Sequence, residues 1–469
     1  MGASLLFHGD RLLVGSPHWS AGPQRGGAVL ERRGAQGLAL LQEGPSGAAG
    51  THFGAALAGG EGWLAVGAPL AGPAHAGRIH LFRWAVQSGG GAGSGESPDG
   101  IQLPGAVVEE PGLGLLAGLG SSLAGSAELL LAGAPRAGGA GAFHAGAVRL
   151  LRDTPLGWTS EPLTGPPSRP GDERGFAVAL GDSHAAVGAP GGGAGAGGEV
   201  LLWDRVGGSL VGCRRVLPAS PRPGARFGAA VAVSGDWLAV GAPGPEGAGW
   251  PGAVHTFHLD PWGLVPGPVF ELPGSGAQGL GSTVVACADG FLAAAPWGAA
   301  PTVVRLRHTV GGSLVVAEQW SGEPGTALGT ALAEGPGRTL HAGAPGLGSA
   351  PGWLLRTGGT VLVARTPRAV RVLQSGAFGL EVQAWSDGAL EARTVGLPLG
   401  AQGVWEGLPP GACLAARGPS LGGSLPSGHP RAEATLSAWL PGDPADPWRL
   451  RLRARLTDGT QALSDTVGP

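Results

Sequence analysis

Tyrosine is missing from the 469-residue chain, as are lysine and asparagine, and isoleucine occurs only at Ile79 and Ile101. These amino acids share AT-rich codons, so a GC-rich coding sequence accounts for the bias. Without asparagine the Asn-Gly hairpin turn is excluded, and Gly-Asp, Asp-Gly and Gly-Gly must hold the positive-φ positions. The same absence removes every N-glycosylation acceptor. Charge is sparse too. Only 13% of residues are charged, against about 25% in ordinary globular chains, and the net charge is -3. No basic footprint for nucleic acid and no cationic amphipathic helix for a membrane surface can be drawn from this. Three cysteines, Cys213, Cys287 and Cys413, lie far apart with no CxxC, which disfavours a disulfide scaffold and a zinc site. No run of 18 apolar residues occurs; "LLAGLGSSLAGSAELLLAGAP" at 115–135 is broken by Glu128, so membrane insertion is not expected.

Glycine and proline, 94 and 42 residues, make up about 29% of the chain. Aperiodic, that share signals disorder. Here it falls in register with short apolar runs. Aligned on a closing proline, the chain holds "LLVGSP" at Pro17, "LAVGAP" at Pro69, "LLAGAP" at Pro135, "AAVGAP" at Pro190, "LAVGAP" at Pro243, "LAAAP" at Pro296 and "HAGAP" at Pro345. The spacings are 52, 66, 55, 53, 53 and 49, the long one holding the insert "QSGGGAGSGESPDG" (87–100). Upstream of each proline from the second copy on stands an apolar residue and glycine: Phe53-Gly54, Leu119-Gly120, a looser Gly175-Phe176, Phe227-Gly228, Leu280-Gly281 and Leu328-Gly329. A period near 50 marks a propeller or solenoid, because one unit cannot bury its own apolar face.

Within the fifth copy, "AAVAVS", a Gly-Asp turn, "WLAVGAP", "GAVHTFHL" and "GPVFELPG" read as four antiparallel strands, the second ended by a proline that cannot donate to a ladder. Four strands in each of seven units spell an all-β, seven-bladed β-propeller. Ala, Gly, Ser and Val in the first strands suit the crowded axis, and the Phe or Leu before glycine suits a wedge between neighbouring sheets.

Phe-Gly, 13 to 15 residues, then Gly-Ala-Pro resembles the FG-GAP repeat of integrin α-subunit propellers and bacterial surface or secreted proteins. The resemblance covers about residues 1–366. It implies an extracellular or cell-surface propeller used for adhesion or for binding protein or glycan ligands rather than for catalysis. The hairpins depart from the calcium-binding form of the repeat, which carries a D-x-D-x-D-G-like loop. Each has one acid only: Asp10, Glu61, Glu128, Asp182, Asp236, Asp289 and Glu334. Calcium takes six to eight oxygens, so calcium is disfavoured, no cofactor is expected, and these acids read as solvated turn residues.

Loops after Gly-Ala-Pro hold His18, Trp19, His75, His144, Trp250 and Trp297; loops between units hold Arg169, Arg174, Arg222 and Arg226. The resemblance puts both sets on one face, and exposed Trp and Arg favour binding hot spots, so this is the candidate ligand face. A metal site from His18, His75 and His144 lacks readable ligand spacing. Met1-Gly2 aligns with Phe-Gly of the other units, which leads to the expectation that the start lies inside a longer reading frame, with "GTVLVART" (359–366) completing the last blade. After Pro367 the period stops, and six or seven strands in 367–469 suggest a small β-sandwich, possibly of immunoglobulin type but without the Cys–Trp–Cys signature. There Arg449, Arg451, Arg453 and Arg455 alternate onto one face, a solvated row with polyanion binding as the minority alternative.

Three functions follow from these residues. The first is a non-enzymatic surface or secreted binding or adhesion protein. The second is a propeller-fold hydrolase or lyase, which needs acids or histidines on the innermost strands, and "GAALAG", "FAVALG", "GAAVAV" and "GSTVVA" carry none. The third is a purely structural surface or matrix component. No G-x-S-x-G, HExxH or P-loop occurs, and "GGGAGAGG" (191–198) opens no helix. The first is the expectation, and the protein is not expected to be an enzyme.

Overall fold

The computed structural model describes residues 2–344 apart from 10, 20–25, 33–37, 45–49, 85–104, 139–142, 194, 196, 246–248, 261–262, 273–275, 310–312 and 323, and beyond them the strands between 353 and 463. Two compact units divide the chain, Ala3–Ala333 and Glu334–Pro469. In the first, six four-stranded antiparallel sheets follow one another, each ordered as the chain runs. Blade one is Ser4–His8, Arg11–Ser16, Ala28–Arg32 and Leu38–Glu43; blade two is Leu57–Gly60, Trp63–Ala68, Arg78–Arg83 and Ala106–Glu109. Blade three is Ser122–Gly125, Leu129–Ala134, Ala147–Thr154 and Gly157–Pro162; blade four is Ala177–Leu180, His184–Ala189, Glu199–Val206 and Ser209–Val216. Ala230–Ser234, Trp237–Ala242, Ala253–Asp260 and Gly263–Phe270 form blade five, and Thr283–Cys287, Gly290–Ala295, Thr302–His308 and Leu314–Ser321 form blade six. This is a β-propeller.

The apolar rhythm dictates the stacking. The second strands, such as Trp63–Ala68 and Leu129–Ala134, are buried along their whole length, whereas an outer strand such as Gly157–Pro162 is largely exposed. Each hydrophobic cluster lies between consecutive blades. Leu64 and Phe53 pack with Leu13, Ile79 packs with Leu130, Leu131 with Leu201, Leu202 with Val240, and Ala239 with Phe291. No blade has a core of its own, as expected of a unit that shields its neighbour's apolar face.

The structure explains the repeated glycines. The glycine of one blade's Gly-Ala-Pro faces the glycine after the wedge of the next. A Cβ on Gly241 would stand 1.9 Å from the Gly281 carbonyl oxygen, and one on Gly188 would stand 1.9 Å from that of Gly228, whose own φ is +93°. The wedges Phe53, Leu119, Phe227 and Leu280 are at most 1% exposed, each bridged to the glycine that opens the preceding unit's third strand. In blade four that position belongs to Arg174, not to Phe176: Gly146 bridges Arg174, and Gly175 N–H donates to the Gly188 carbonyl.

The expected count of seven blades is corrected. Six complete four-stranded blades are present among the described residues. The seventh copy supplies three strands, Ala331–Gly335, Thr339–Ala344 and Trp353–Thr357, adjacent in that order, the last two pairing antiparallel. The last of these then pairs in parallel with Ala369–Ser375, Arg356 opposite Gln374, in place of a fourth antiparallel strand. Its sheet therefore runs on through Leu380–Trp385, Leu390–Arg393, Gln402–Trp405, Leu452–Arg455 and Gln461–Leu463, beside a separate hairpin of Cys413–Ser420 and Glu433–Trp439. Residues 359–363 of the expected closing strand, and Arg449 and Arg451 of the arginine row, lie outside the described residues.

Of the hairpin acids, Asp10 lies outside the described residues; Glu61, Glu128, Asp182 and Asp236 are exposed. Asp289 instead pairs with Arg307 at 2.7 Å. Cys213 is half-buried and Cys287 is buried. No helix is long and apolar enough to cross a membrane among the described residues.

Candidate functional site

Loops following the second strands and connections between blades are held together by backbone hydrogen bonds. Leu116 N–H donates to the Ala74 carbonyl, Glu173 to His144, Phe227 to Gly197 and Leu280 to Pro251. The residues singled out in these loops have different surroundings. His18 is exposed and lies edge-on to His52, with ring centroids 4.7 Å apart. Trp19 is half-buried, as is Trp297, which pairs with Gln278 in a two-residue ladder. His75, His144 and Trp250 occupy one register position, two residues ahead of the glycines Gly77, Gly146 and Gly252 that open the third strands. His75 and His144 are exposed, His75 with Nδ1 2.7 Å from the Leu70 carbonyl oxygen. Arg169 N–H donates to Asp172 at 2.7 Å. Arg174 is buried, and burial lowers its pKa against the opposing pull of Glu199 and Asp172. Arg226 sits over the Phe176 ring at 4.9 Å and pairs with Glu173 at 3.3 Å. Among the described residues, no three His, Cys, Asp or Glu side chains gather where a metal ion could be held.

Of the singled-out residues, Arg222 and Trp250 line one cavity together. It measures about 460 Å³ and lies at blade five, walled by Pro218, Phe227, Trp250, Pro251 and Val269, with Arg222, His255 and Glu271 as its ionisable groups. The elements fix each side chain. His255 is the third residue of Ala253–Asp260 and pairs in register with Val269 of the neighbouring strand. Phe227, the blade's wedge, meets the imidazole edge-on at 5.2 Å and 75°. Arg222 comes from the connection ahead of the blade, and Glu271 directly follows its fourth strand.

Burial holds the His255 imidazole below its ordinary value of 6.5. The positive charge of Arg222 pushes the same way and Glu271 opposes both. At neutral pH the ring is therefore uncharged and able to accept a proton.

Blade two contains the same construction with its histidine sealed. Phe53 meets His80 edge-on at 5.2 Å and 74°, matching Phe227 and His255. Glu109 stands opposite Arg78 in the ladder, as Glu271 stands one residue beyond the Val254–Phe270 pair and hence opposite Ala253. The Arg78 guanidinium pairs with Glu109. His80 is 4% exposed, its pKa lowered to about 4 mainly by burial. In blade five the arginine is replaced by Ala253, and Glu271 takes part in no ion pair among the described residues.

Sequence reasoning found Arg222 and Trp250 and missed His255 and Glu271. It searched the innermost strands for catalytic groups, whereas these come from the third strand and the end of the fourth. A signal was present: "GRIHLF" (77–82) and "GAVHTF" (252–257) are the two copies with histidine at that phase.

No family model matches the chain, and no curated protein matches it. Solved structures do resemble it. A Lactobacillus plantarum protein shares 11% identity, covering 78% of this chain and 91% of its own, with a TM-score of 0.45. The periplasmic gluconolactonase PpgL of Pseudomonas aeruginosa shares 14%, covering 77% and 91%, with a TM-score of 0.47. A Thermus thermophilus protein described as an oxidoreductase (glucose dehydrogenase) shares 17%, covering 61% and 89%, with a TM-score of 0.34. The expectation of a non-enzymatic binding or adhesion protein, and with it the exclusion of catalysis, is corrected here. The residues able to act chemically, His255 on a third strand and Glu271 just past a fourth, lie off the strands on which that exclusion rested. The fold is that of a β-propeller, and FG-GAP membership finds no family match.

Proposed function

We propose that the protein is a propeller-fold hydrolase that cleaves a small carboxylic ester in the blade-five cavity. The observation that carries this reading is a half-open, largely apolar cavity lined by an uncharged imidazole together with a guanidinium. His255 takes a proton from water as the oxygen attacks the acyl carbon. Arg222 supplies positive charge for the resulting oxyanion. Collapse of the tetrahedral intermediate expels the alcohol, which leaves with the proton returned by the imidazolium, so the acid and alcohol are the only products. Glu271 steadies the transient imidazolium by its charge, and Phe227 holds the ring edge-on so that it cannot tilt.

A panel of small esters and cyclic esters tests this with purified protein. Turnover is expected, with kcat/KM rising with pH through a value below 6.5 and then levelling. His255→Gln is expected to lower kcat by roughly 10²–10⁴-fold, the usual contribution of a general base. Equal turnover by wild type and variant, or none across the panel, overturns the reading.

Two finer parts of the resemblance belong to the same proposal. Kinship with FG-GAP repeats enters as a description of the repeat alone. An extracellular or cell-surface address is tested by fractionating the producing cells, and recovery only from the cytosol overturns it.

A further inference from the structure

Blade two shows what the blade-five cavity lacks. In both blades a phenylalanine wedge, a histidine and a glutamate stand at matching register positions. In blade two a guanidinium belonging to the chain itself pairs with the glutamate, and the histidine beside it is sealed from solvent. In blade five the residue at that position is alanine, the glutamate is exposed and unpaired among the described residues, and a cavity of about 460 Å³ stands beside it. The added wall is Trp250, where blade two has His75.

We infer that the cavity takes a guanidinium-bearing ligand, whose planar cation occupies the place that Arg78 fills in blade two. Glu271 supplies the matching carboxylate, which a guanidinium can engage through two parallel N–H donors. The Trp250 indole supplies a face for the same cation. Arg222 adds a positive charge that favours a polarised carbonyl elsewhere on the ligand, so an ester of arginine satisfies every charged group present. The inference rests on the hydrolase reading for the location of the site and specifies its substrate class.

Calorimetric titration of the full chain tests it, with Nα-acetyl-arginine amide and agmatine as probes and Nα-acetyl-citrulline amide as the uncharged control. Either guanidinium probe is expected to bind at least about tenfold tighter than citrulline, the gain ordinarily given by a charge-assisted pair. Glu271→Gln is expected to remove that preference. Ala253→Arg, which rebuilds the blade-two pair in blade five, is expected to abolish binding while leaving the circular dichroism and melting temperature unchanged. Arginine and citrulline binding alike, no binding of any probe, or a preference that survives both substitutions overturns the inference. Ester turnover with no guanidinium preference defeats this inference and leaves the hydrolase standing; guanidinium binding with no ester turnover does the reverse.

Discussion

His80 and His255 each have a wedge phenylalanine for a neighbour, Phe53 and Phe227 respectively, and differ in what else lies beside them, so they separate structure from chemistry within one chain. His80 is sealed, with its pKa lowered from 6.5 to about 4. Above pH 6.5 neither folded nor unfolded chain protonates there. As pH falls from 6.5 to 4 the unfolded chain takes up a proton that the folded chain refuses, so stability declines with falling pH. The full loss is on the order of 3 kcal/mol by pH 4. Urea midpoints at pH 7, 5.5 and 4 check this: wild type is expected to lose stability more steeply than His80→Gln, and parallel decline in both proteins rules it out. His255, open to the cavity, turns the same depressed basicity into an acceptor for a substrate proton.

Among strands and turns, the strictest constraint is the meeting of two glycines across each of the five seams that join blades one to six. Gly241→Ala would drive a methyl group to within 1.9 Å of the Gly281 carbonyl oxygen, which is backbone and unable to rotate away. A loss of at least about 3 kcal/mol is expected, at the severe end for overpacking. Thermal unfolding beside a Gly112→Ala control, at an exposed glycine with open space around it and no positive φ, measures it; equal melting temperatures contradict it. This part of the fold was legible in the sequence because close backbone approach leaves no side chain but hydrogen, and so recurs as Phe-Gly and Gly-Ala-Pro. The end of the series was not legible. The seventh copy has the strands of a blade but pairs onward in parallel, and strand propensity says nothing about which edge a strand will meet. The site was half legible. Trp250 and Arg222 stand out as exposed hot-spot types, whereas His255 and Glu271 take meaning only when blades are compared position by position.

Across the propeller unit, stability is a chain of seams in which each blade holds its neighbours. Four seams are closed by a phenylalanine or leucine at most 1% exposed, and the one between blades three and four is closed by Arg174 at 8%. Its Nε and Nη2 atoms have no hydrogen-bond partner among the described residues, while buried Asp172 and Glu199 lie near enough to counter its charge. Arg174→Leu is expected to weaken the unit by roughly 3 kcal/mol, because two buried carboxylates lose a cation and gain nothing in return. Guanidine-free urea denaturation at pH 7 reads this out, and a variant as stable as wild type refutes it. The arginine seam also differs in what it tolerates. Hydrocarbon joints accept any apolar side chain of matching size, whereas this one demands a cation opposite two carboxylates, so blades three and four admit far fewer replacements where they meet than the other blades do.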